Sequence, residues 1–517
     1  MTDRPNILFI TSDQQRADCY GFAGRRVKTP HLDQLAAAGT RFDACITPNL
    51  VCQPSRSSIL TGQLPLTHGV ADNGIDLRPE VGAAGYAAQM TAAGYDTALI
   101  GKAHFSTASN FKPTGTPECR VSSGDYAPDW TGPYMGFEHV ELIILGHWHK
   151  TRPATKPPCG QHYERWFFDQ VAGDTGFDAW ASETRPGTGA AQTWYSGLPV
   201  AWHNSTWIGE RAIEYLNNHT LNNHGTNKPF SMWVSFPDPH HPFDCPEPWS
   251  GLHHPDEVDL PVEGVKDLDE RPWWHRAALE TEPELADPIM KTFRAKGSRA
   301  PDQTEAQLRE MTANYFGMIS LIDHNVGRIL AALDRLGLSE NTIVVYSTDH
   351  GDYLGDHGLY LKGPMAYEGL LRVGSIFRGP GVPAGKVVAD PVSTLDYAAT
   401  FCDYAGTSLP SAAQSRSLRP MIEGDETRDV AYSEWNVHPS RCGVPLALRT
   451  VRTKTAKLTL ELESTAGEMY DLGEDPNEMR NVYDDPAYAS LRKELTDMIR
   501  ARPGEQLETF DEAVGMA

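Results

Sequence analysis

No run of about eighteen apolar residues occurs in the chain, so no spanning helix is expected and no membrane partner. The start, MTDRPNILFITSDQQ, has no basic segment leading into an apolar stretch with a small-residue cleavage site, and a cytoplasmic protein is expected. Cysteine is sparse: eight in 517 residues, at 19, 45, 52, 119, 159, 245, 402 and 442, without a CxxC pair. That spacing argues against a thiolate zinc site and against a compact disulfide framework. Most of these side chains are expected to be reduced and buried as small apolar groups. Positive charge is short, 45 Lys and Arg against 68 Asp and Glu for a net charge of −23. Such a surface repels nucleic acid, anionic lipid and long sulfated polymers, while a small anion can still enter a locally positive cleft. Internal repeats and low-complexity tracts are missing as well.

What is present is the composition of a packed globular enzyme, 40% hydrophobic with 12 Trp. The length suits one large domain with a smaller appendage. NILFIT (6–11) is a short apolar run without alternation, as in a strand covered on both faces, and it runs straight into SDQQ. TPHLDQLAAAG (29–39) reads as a helix, with Thr29 as N-cap, Pro30 at the first position and Gly39 as the stop. A further helix and a Gly94 stop precede a strand near 95–100 that ends at Lys102 and His104. KPFSMWVSF ends at His240 and His241, and NTIVVYST ends at Asp349 and His350. From Thr304 to about Leu336 apolar residues recur in steps of three and four, which predicts one long amphipathic helix.

Alternating strands and helices predict an α/β fold: a large, mostly parallel sheet sandwiched between helices. Residues 105–200, rich in Gly, Pro, Trp and Thr, are expected as loops and short elements forming a lid. After residue 424, four short strand-like runs and a terminal helix predict a smaller C-terminal α+β subdomain, 425–517, containing a short antiparallel sheet.

Open α/β sheets bind ligands at the carboxyl ends of their strands, and here those ends carry Asp13, Gln14, Lys102, His104, His240, Asp349 and His350, with Lys362 shortly after. Any one of them alone could be a turn former or a structural histidine. Together they suggest a site. Asp13, Gln14, Asp349 and His350 offer mostly oxygen donors and one imidazole, suited to a divalent ion such as Ca²⁺ or Mn²⁺. Arg56, Lys102, Lys362 and the histidines are cations and proton donors fit to bind and cleave a tetrahedral oxyanion ester. Cys52 precedes Pro54 where a helix begins, near the positive end of its dipole. A thiolate nucleophile fits that place, but a thiolate suits a hard, oxygen-preferring ion poorly, so the residue types alone leave the role of Cys52 open.

The string CxPSRxxxLTG, here Cys52, Pro54, Ser55, Arg56, Leu60, Thr61 and Gly62, resembles the signature of the formylglycine-dependent sulfatases of the alkaline phosphatase superfamily. The resemblance extends through PNILFITSDQQR, GYDTALIGKAHF, DPHHPF, VVYSTDHGDYLGDHGLYLKGPMAYEG and EMYDLGEDPNEMRNV, nearly the whole chain. It implies that Cys52 is oxidised to formylglycine by a sulfatase-modifying enzyme. It further implies that Asp13, Gln14, Asp349, His350 and modified Cys52 hold one divalent metal, Ca²⁺ ahead of Mn²⁺, and that Arg56, Lys102, His104, His240 and Lys362 surround the sulfate. The hydrated aldehyde would attack sulfur, His240 or Lys362 would protonate the leaving oxygen, and His104 would deprotonate the second hydroxyl to release sulfate.

Two departures stand out. Many sulfatases carry two acids where this chain has Asp13 and Gln14, and many carry Asn where it has His350. The Gln and His variant is similar to the phosphonate monoester hydrolases of the family, which makes a phosphonate monoester or phosphate diester the alternative substrate. Retention of Lys102 and His104 favours a small organic sulfate monoester. Asn73 is expected either to touch substrate or to form a turn. His147, Trp148 and His149 are candidates for the leaving-group pocket or for packing, and His357 for a supporting role. A homo-oligomer is expected.

Overall fold

The structure is a computed structural model, and it describes residues 4–109, 112–144, 157–170, 178–179, 181–223, 228–262 and 264–515. His147, Trp148 and His149 lie outside the described residues.

The strand at the start of the chain, β1 (Asn6–Ser12), is buried along its whole length. Ile7 and Phe9 point into one apolar layer and Leu8 and Ile10 into the other, which is why its sequence lacks alternation. Around it a sheet of eight strands is built from β2 (Thr40–Phe42), β4 (Asp96–Lys102), β5 (His139–Ile143), β6 (Phe230–Ser235), β7 (Thr342–Thr348), β9 (Ser375–Arg378) and β10 (Lys386–Val388). Their order is β10-β2-β9-β7-β1-β6-β4-β5. The run from β7 to β5 is parallel, and β9 is antiparallel to both its neighbours. A second sheet of three very short strands holds β3 (Cys45–Ile46) between β11 (Val392–Ser393) and β8 (Arg372–Val373).

Helices cover both faces. The long helix Glu305–Arg335 starts with a capping box, in which Thr304 and Gln307 satisfy each other's backbone N–H groups. It packs Ile322, Val326, Ile329 and Leu333 with Ile208 and Leu216 of helix Asn204–Asn222 against Leu8, Ile10 and Val344. On the opposite face Tyr86, Met90, Tyr397 and Phe401 meet Ile7, Phe9, Trp233 and Val345. Among the described residues no helix is long and apolar enough to cross a membrane.

The expected loop-rich segment contributes one strand, β5, to the edge of the main sheet. At five residues its pattern is too short to stand out from loop sequence. Near the C-terminus β12 (Ala431–Val437), β13 (Leu446–Arg452), β14 (Ala456–Glu461) and β15 (Gly467–Asp471) form an antiparallel meander. Leu495 and Ile499 of helix Ala489–Arg500 pack on Val451, Leu458 and Met469 of this sheet. The sheet is joined to the loop before residue 52: Glu434 N–H donates to Pro48 O at 2.9 Å, and Asn49 Nδ2 donates to Glu434 O at 2.7 Å.

Candidate functional site

Parallel register brings four carboxyl ends to one edge. Ser12 lies beside Thr348 in β1 and β7, Thr11 beside Ser235 in β1 and β6, and Gly101 beside Ser235 in β4 and β6. The residues that follow these ends are therefore neighbours. One ligand atom from each of Asp13, Cys52, Asp349 and His350 lies within 4.8 Å of the others, and all four residues are buried.

Gln14 completes this cluster by an unusual turn. Its φ of 67° is left-handed, a conformation that a non-glycine residue holds only when its surroundings compensate the strain. Its backbone N–H donates to Asp349 Oδ1 at 3.1 Å, and its carbonyl accepts from Tyr315 OH at 2.6 Å. The side-chain nitrogen sits 2.5 Å from Asp352 Oδ2 and 3.0 Å from His241 Nδ1. Gln14 Oε1 is buried without a hydrogen-bond partner among the described residues, a costly state for an acceptor in a protein. Two carboxylates, an orphaned amide oxygen and an imidazole form a donor set that fits a hard or borderline divalent ion. Asp13, Gln14, Asp349 and His350 are thus the residues able to hold a metal.

Cys52 opens the buried helix Cys52–Thr61. Its Sγ lies 3.1 Å from His350 Nε2, 3.6 Å from Asp13 Oδ1 and 2.9 Å from Lys362 Nζ. Burial and the Asp13 carboxylate push the thiol pKa up, but Lys362, Lys102 and His350 outweigh them and the net shift is downward. The helix is locked in place by Ser55 Oγ donating to Asp349 O at 2.7 Å and by Arg56. Arg56, wholly buried, donates Nε to Ala103 O at 2.7 Å, Nη1 to Asp349 Oδ2 at 3.3 Å, and Nη2 to Lys102 O and Ser235 Oγ.

Cations converge on the same spot. Lys102 Nζ lies 2.5 Å from Asp13 Oδ2. Burial lowers the Lys102 pKa, but Asp13 and position 52 more than offset this and it stands raised. Burial raises the Asp13 pKa, yet Lys102, Lys362, His350 and Arg56 hold it well below the usual carboxylate range. For His350, burial acts downward and Asp349 upward, and the net is upward. Lys362 Nζ reaches His240 Nε2 at 2.9 Å, and His240 Nδ1 bonds the His241 carbonyl. His104, with φ 57°, is buried, and neither of its ring nitrogens has a hydrogen-bond partner among the described residues. Burial and the Lys102 charge hold its pKa far below the ordinary value.

Asp13, Gln14, Cys52, Arg56, Lys102, His104, His240, Asp349, His350 and Lys362 lie in or beside this cleft; Asn73 borders it, its Oδ1 accepting the Gln53 backbone N–H at 3.0 Å and so capping the Cys52 helix. Gln53 ties the loops together: its Nε2 donates to Ile75 O and Phe105 O, and its Oε1 accepts from Gly74 N–H. His357 stands apart, stacked on Tyr367 with centroids 3.8 Å apart. Sequence reasoning noted His241 at its strand end without selecting it for the site, and missed Asp352 and Glu118. The first two sit next to selected residues in the strings DPHHPF and DHGD, which was the available signal. Glu118 had none.

A profile of the family described as Sulfatase matches residues 5–407. The chain belongs to the sulfatase family. A second profile, described as N-sulphoglucosamine sulphohydrolase, C-terminal, matches residues 355–503 of this sulfatase. An arylsulfatase of Clostridium perfringens (strain 13 / Type A) is 27% identical over 526 residues, covering 98% of this chain and 95% of that protein. A choline-sulfatase of Rhizobium meliloti (strain 1021) is 28% identical over 527 residues, covering 99% of this chain and 89% of that protein. Among solved structures, a phosphonate monoester hydrolase of Agrobacterium radiobacter superposes with a TM-score of 0.74 at 25% identity, covering 96% of each chain. The α/β architecture and the sulfatase branch of the alkaline phosphatase superfamily, both expected from the sequence, are those of this chain.

Proposed function

We propose that this sulfatase hydrolyses a small organic sulfate monoester, using as nucleophile a formylglycine hydrate made by oxidation of Cys52 by a sulfatase-modifying enzyme in the cytoplasm. The observation that carries this reading is the placement of Cys52 Sγ, buried at a helix start within 3.6 Å of Asp13, His350 and Lys362. Sγ marks where the hydrate oxygens would stand. Catalysis is assigned to residues 1–424 and support of the loop before Cys52 to 425–517.

Asp13, Gln14, Asp349, His350 and modified residue 52 would hold the divalent metal, Ca²⁺ ahead of Mn²⁺ because four of the five donors are oxygens. Bound there, the ion supplies positive charge that favours the ionised form of the residue 52 hydroxyl at neutral pH.

The protein's own groups supply the rest. Lys102 and Lys362 balance the charge of a bound sulfate and Arg56 fixes the helix that carries the nucleophile. His240, hydrogen-bonded to Lys362, or Lys362 itself gives a proton to the leaving oxygen as its bond to sulfur breaks, an aid of about 10²-fold to 10⁴-fold. His104, kept neutral by burial and by Lys102, then accepts the proton of the second hydroxyl. That O–H pair closes the C=O bond, the C–O bond to the sulfuryl oxygen breaks, and sulfate departs with its electrons. The aldehyde is restored.

The Gln14 and His350 pair, together with the likeness to a phosphonate monoester hydrolase, supports phosphonate monoesters or phosphate diesters as the second reading. One preparation assayed with 4-nitrophenyl sulfate and with a 4-nitrophenyl phosphonate monoester separates them: higher kcat/KM is expected for the sulfate, and the reverse order assigns the enzyme to phosphorus. The peptide containing residue 52 is expected about 18 Da lighter than its cysteine form. A fully active enzyme with unmodified Cys52 refutes the nucleophile.

A further inference from the structure

Among the buried carboxylates that the mechanism does not use, one holds the backbone at His104. Glu118, in the segment that follows β4, is 1% exposed. Its Oε2 accepts the His104 backbone N–H, and its Oε1 accepts those of Phe105 at 3.0 Å and Ser106 at 3.1 Å. Tyr134 OH donates to the same Oε1 at 2.7 Å and also meets Ser106 Oγ at 2.8 Å. Three consecutive N–H groups turned into one concavity make an anion-binding nest. Here a side chain of the chain itself fills it. Burial pushes the Glu118 pKa up to about 7 in spite of these bonds, so the arrangement is costly.

Two other histidines of the cleft are steered by carbonyls: His350 Nδ1 bonds Gly351 O at 2.9 Å, and His240 Nδ1 bonds His241 O. The His104 ring has no such partner among the described residues, so its aim depends on its own strained backbone turn. That turn is what Glu118 grips.

We propose that Glu118 is a positioning residue for His104, holding the backbone of residues 104–106, left-handed at His104, so that the unpartnered imidazole meets the second hydroxyl of residue 52. This rests on the assignment of His104 as the base of sulfate release. Glu118 acts on the step in which the hydroxyl proton passes to His104, its electron pair closes the C=O bond, and the C–O pair leaves with sulfate. It does not act on cleavage of the ester.

Glu118→Gln tests this. The amide oxygen can still serve Phe105, Ser106 and Tyr134, but an NH₂ now faces the His104 N–H. With an aryl sulfate, the first turnover is expected to release phenol at the wild-type rate, and steady-state kcat to fall by about tenfold to a hundredfold. Intact mass should then reveal enzyme heavier by one sulfuryl group, and the amides of 104–106 should exchange faster. His104→Ala should trap the same species. If His104→Ala traps it and Glu118→Gln does not, Glu118 is merely structural and the proposal fails alone. If neither does, the role given to His104 fails and this inference with it. Should Glu118→Gln not fold, Tyr134→Phe, which removes one bond to the carboxylate, is expected to give a smaller accumulation; none overturns the proposal.

Discussion

Gln14 Nε2 lies 2.5 Å from Asp352 Oδ2, and that contact decides which end of the amide faces Asp13, Asp349 and His350. An ionised carboxylate only accepts hydrogen bonds, so the NH₂ turns toward Asp352 and Oε1 is left toward the cluster. Asp352→Asn can offer an NH₂ of its own and permits the amide to flip. Its divalent-ion affinity is expected to fall by about tenfold to a hundredfold, as when an outer partner of a metal ligand is lost. Titration against a chelating indicator measures this. Unchanged affinity would mean that Asp352 does not set the amide.

Lys102 and Asp13 form an ion pair with almost no solvent access, their side chains 9% and 0% exposed. Breaking such a pair from one side costs about 3–5 kcal/mol. Lys102→Met is expected to lower the urea stability of chelator-treated protein by this order, and Asp13→Asn added to it should recover part of the loss. Strict additivity in the double-mutant cycle would deny the coupling.

Asn73 caps the helix that begins at Cys52, and Asn73→Ala should cost about 1 kcal/mol of stability while leaving KM unchanged. A raised KM without loss of stability would assign the side chain to substrate instead.

His68 gives a pH prediction remote from the cluster. Its Nδ1 accepts from Val70 N–H at 3.2 Å, so Nε2, 2.9 Å from Ser58 Oγ, carries the proton of a neutral ring. Burial lowers its pKa to about 3. Below about pH 6.5 the unfolded histidine takes up a proton that the folded one refuses. The contribution is therefore complete above pH 6.5 and is lost as pH falls toward 3, a total on the order of 3–5 kcal/mol. His68→Asn, which can still accept from Val70, should flatten the decline of the denaturation midpoint between pH 7 and pH 4. An unchanged slope would show that other groups govern it.

Much of this arrangement was legible in the sequence because parallel strands deposit their polar successors on one edge. Asp13, Lys102, His240 and Asp349 each follow an apolar run, and the strands that carry them proved to be adjacent. The strand order was not legible, nor were the strands of two or three residues, β2, β3, β8, β10 and β11, whose pairing is dictated by tertiary contact rather than by local pattern. Glu118 and Asp352 escaped notice for the same reason. Their meaning lies in contacts with backbone N–H groups and with a side chain 338 positions away, which periodicity does not encode.

The residue after Cys52 is written as any amino acid in the pattern C-x-P-S-R. In this chain Gln53 is anything but a free position, since its amide fastens the stretch at 74–75 to the one at 105. A relative with a shorter or apolar side chain there must knit those stretches together by other means, so the letter at x foretells whether their loops can be exchanged with these. Grafting 73–77 from such a relative without its own neighbour of residue 52 would import half of a knot.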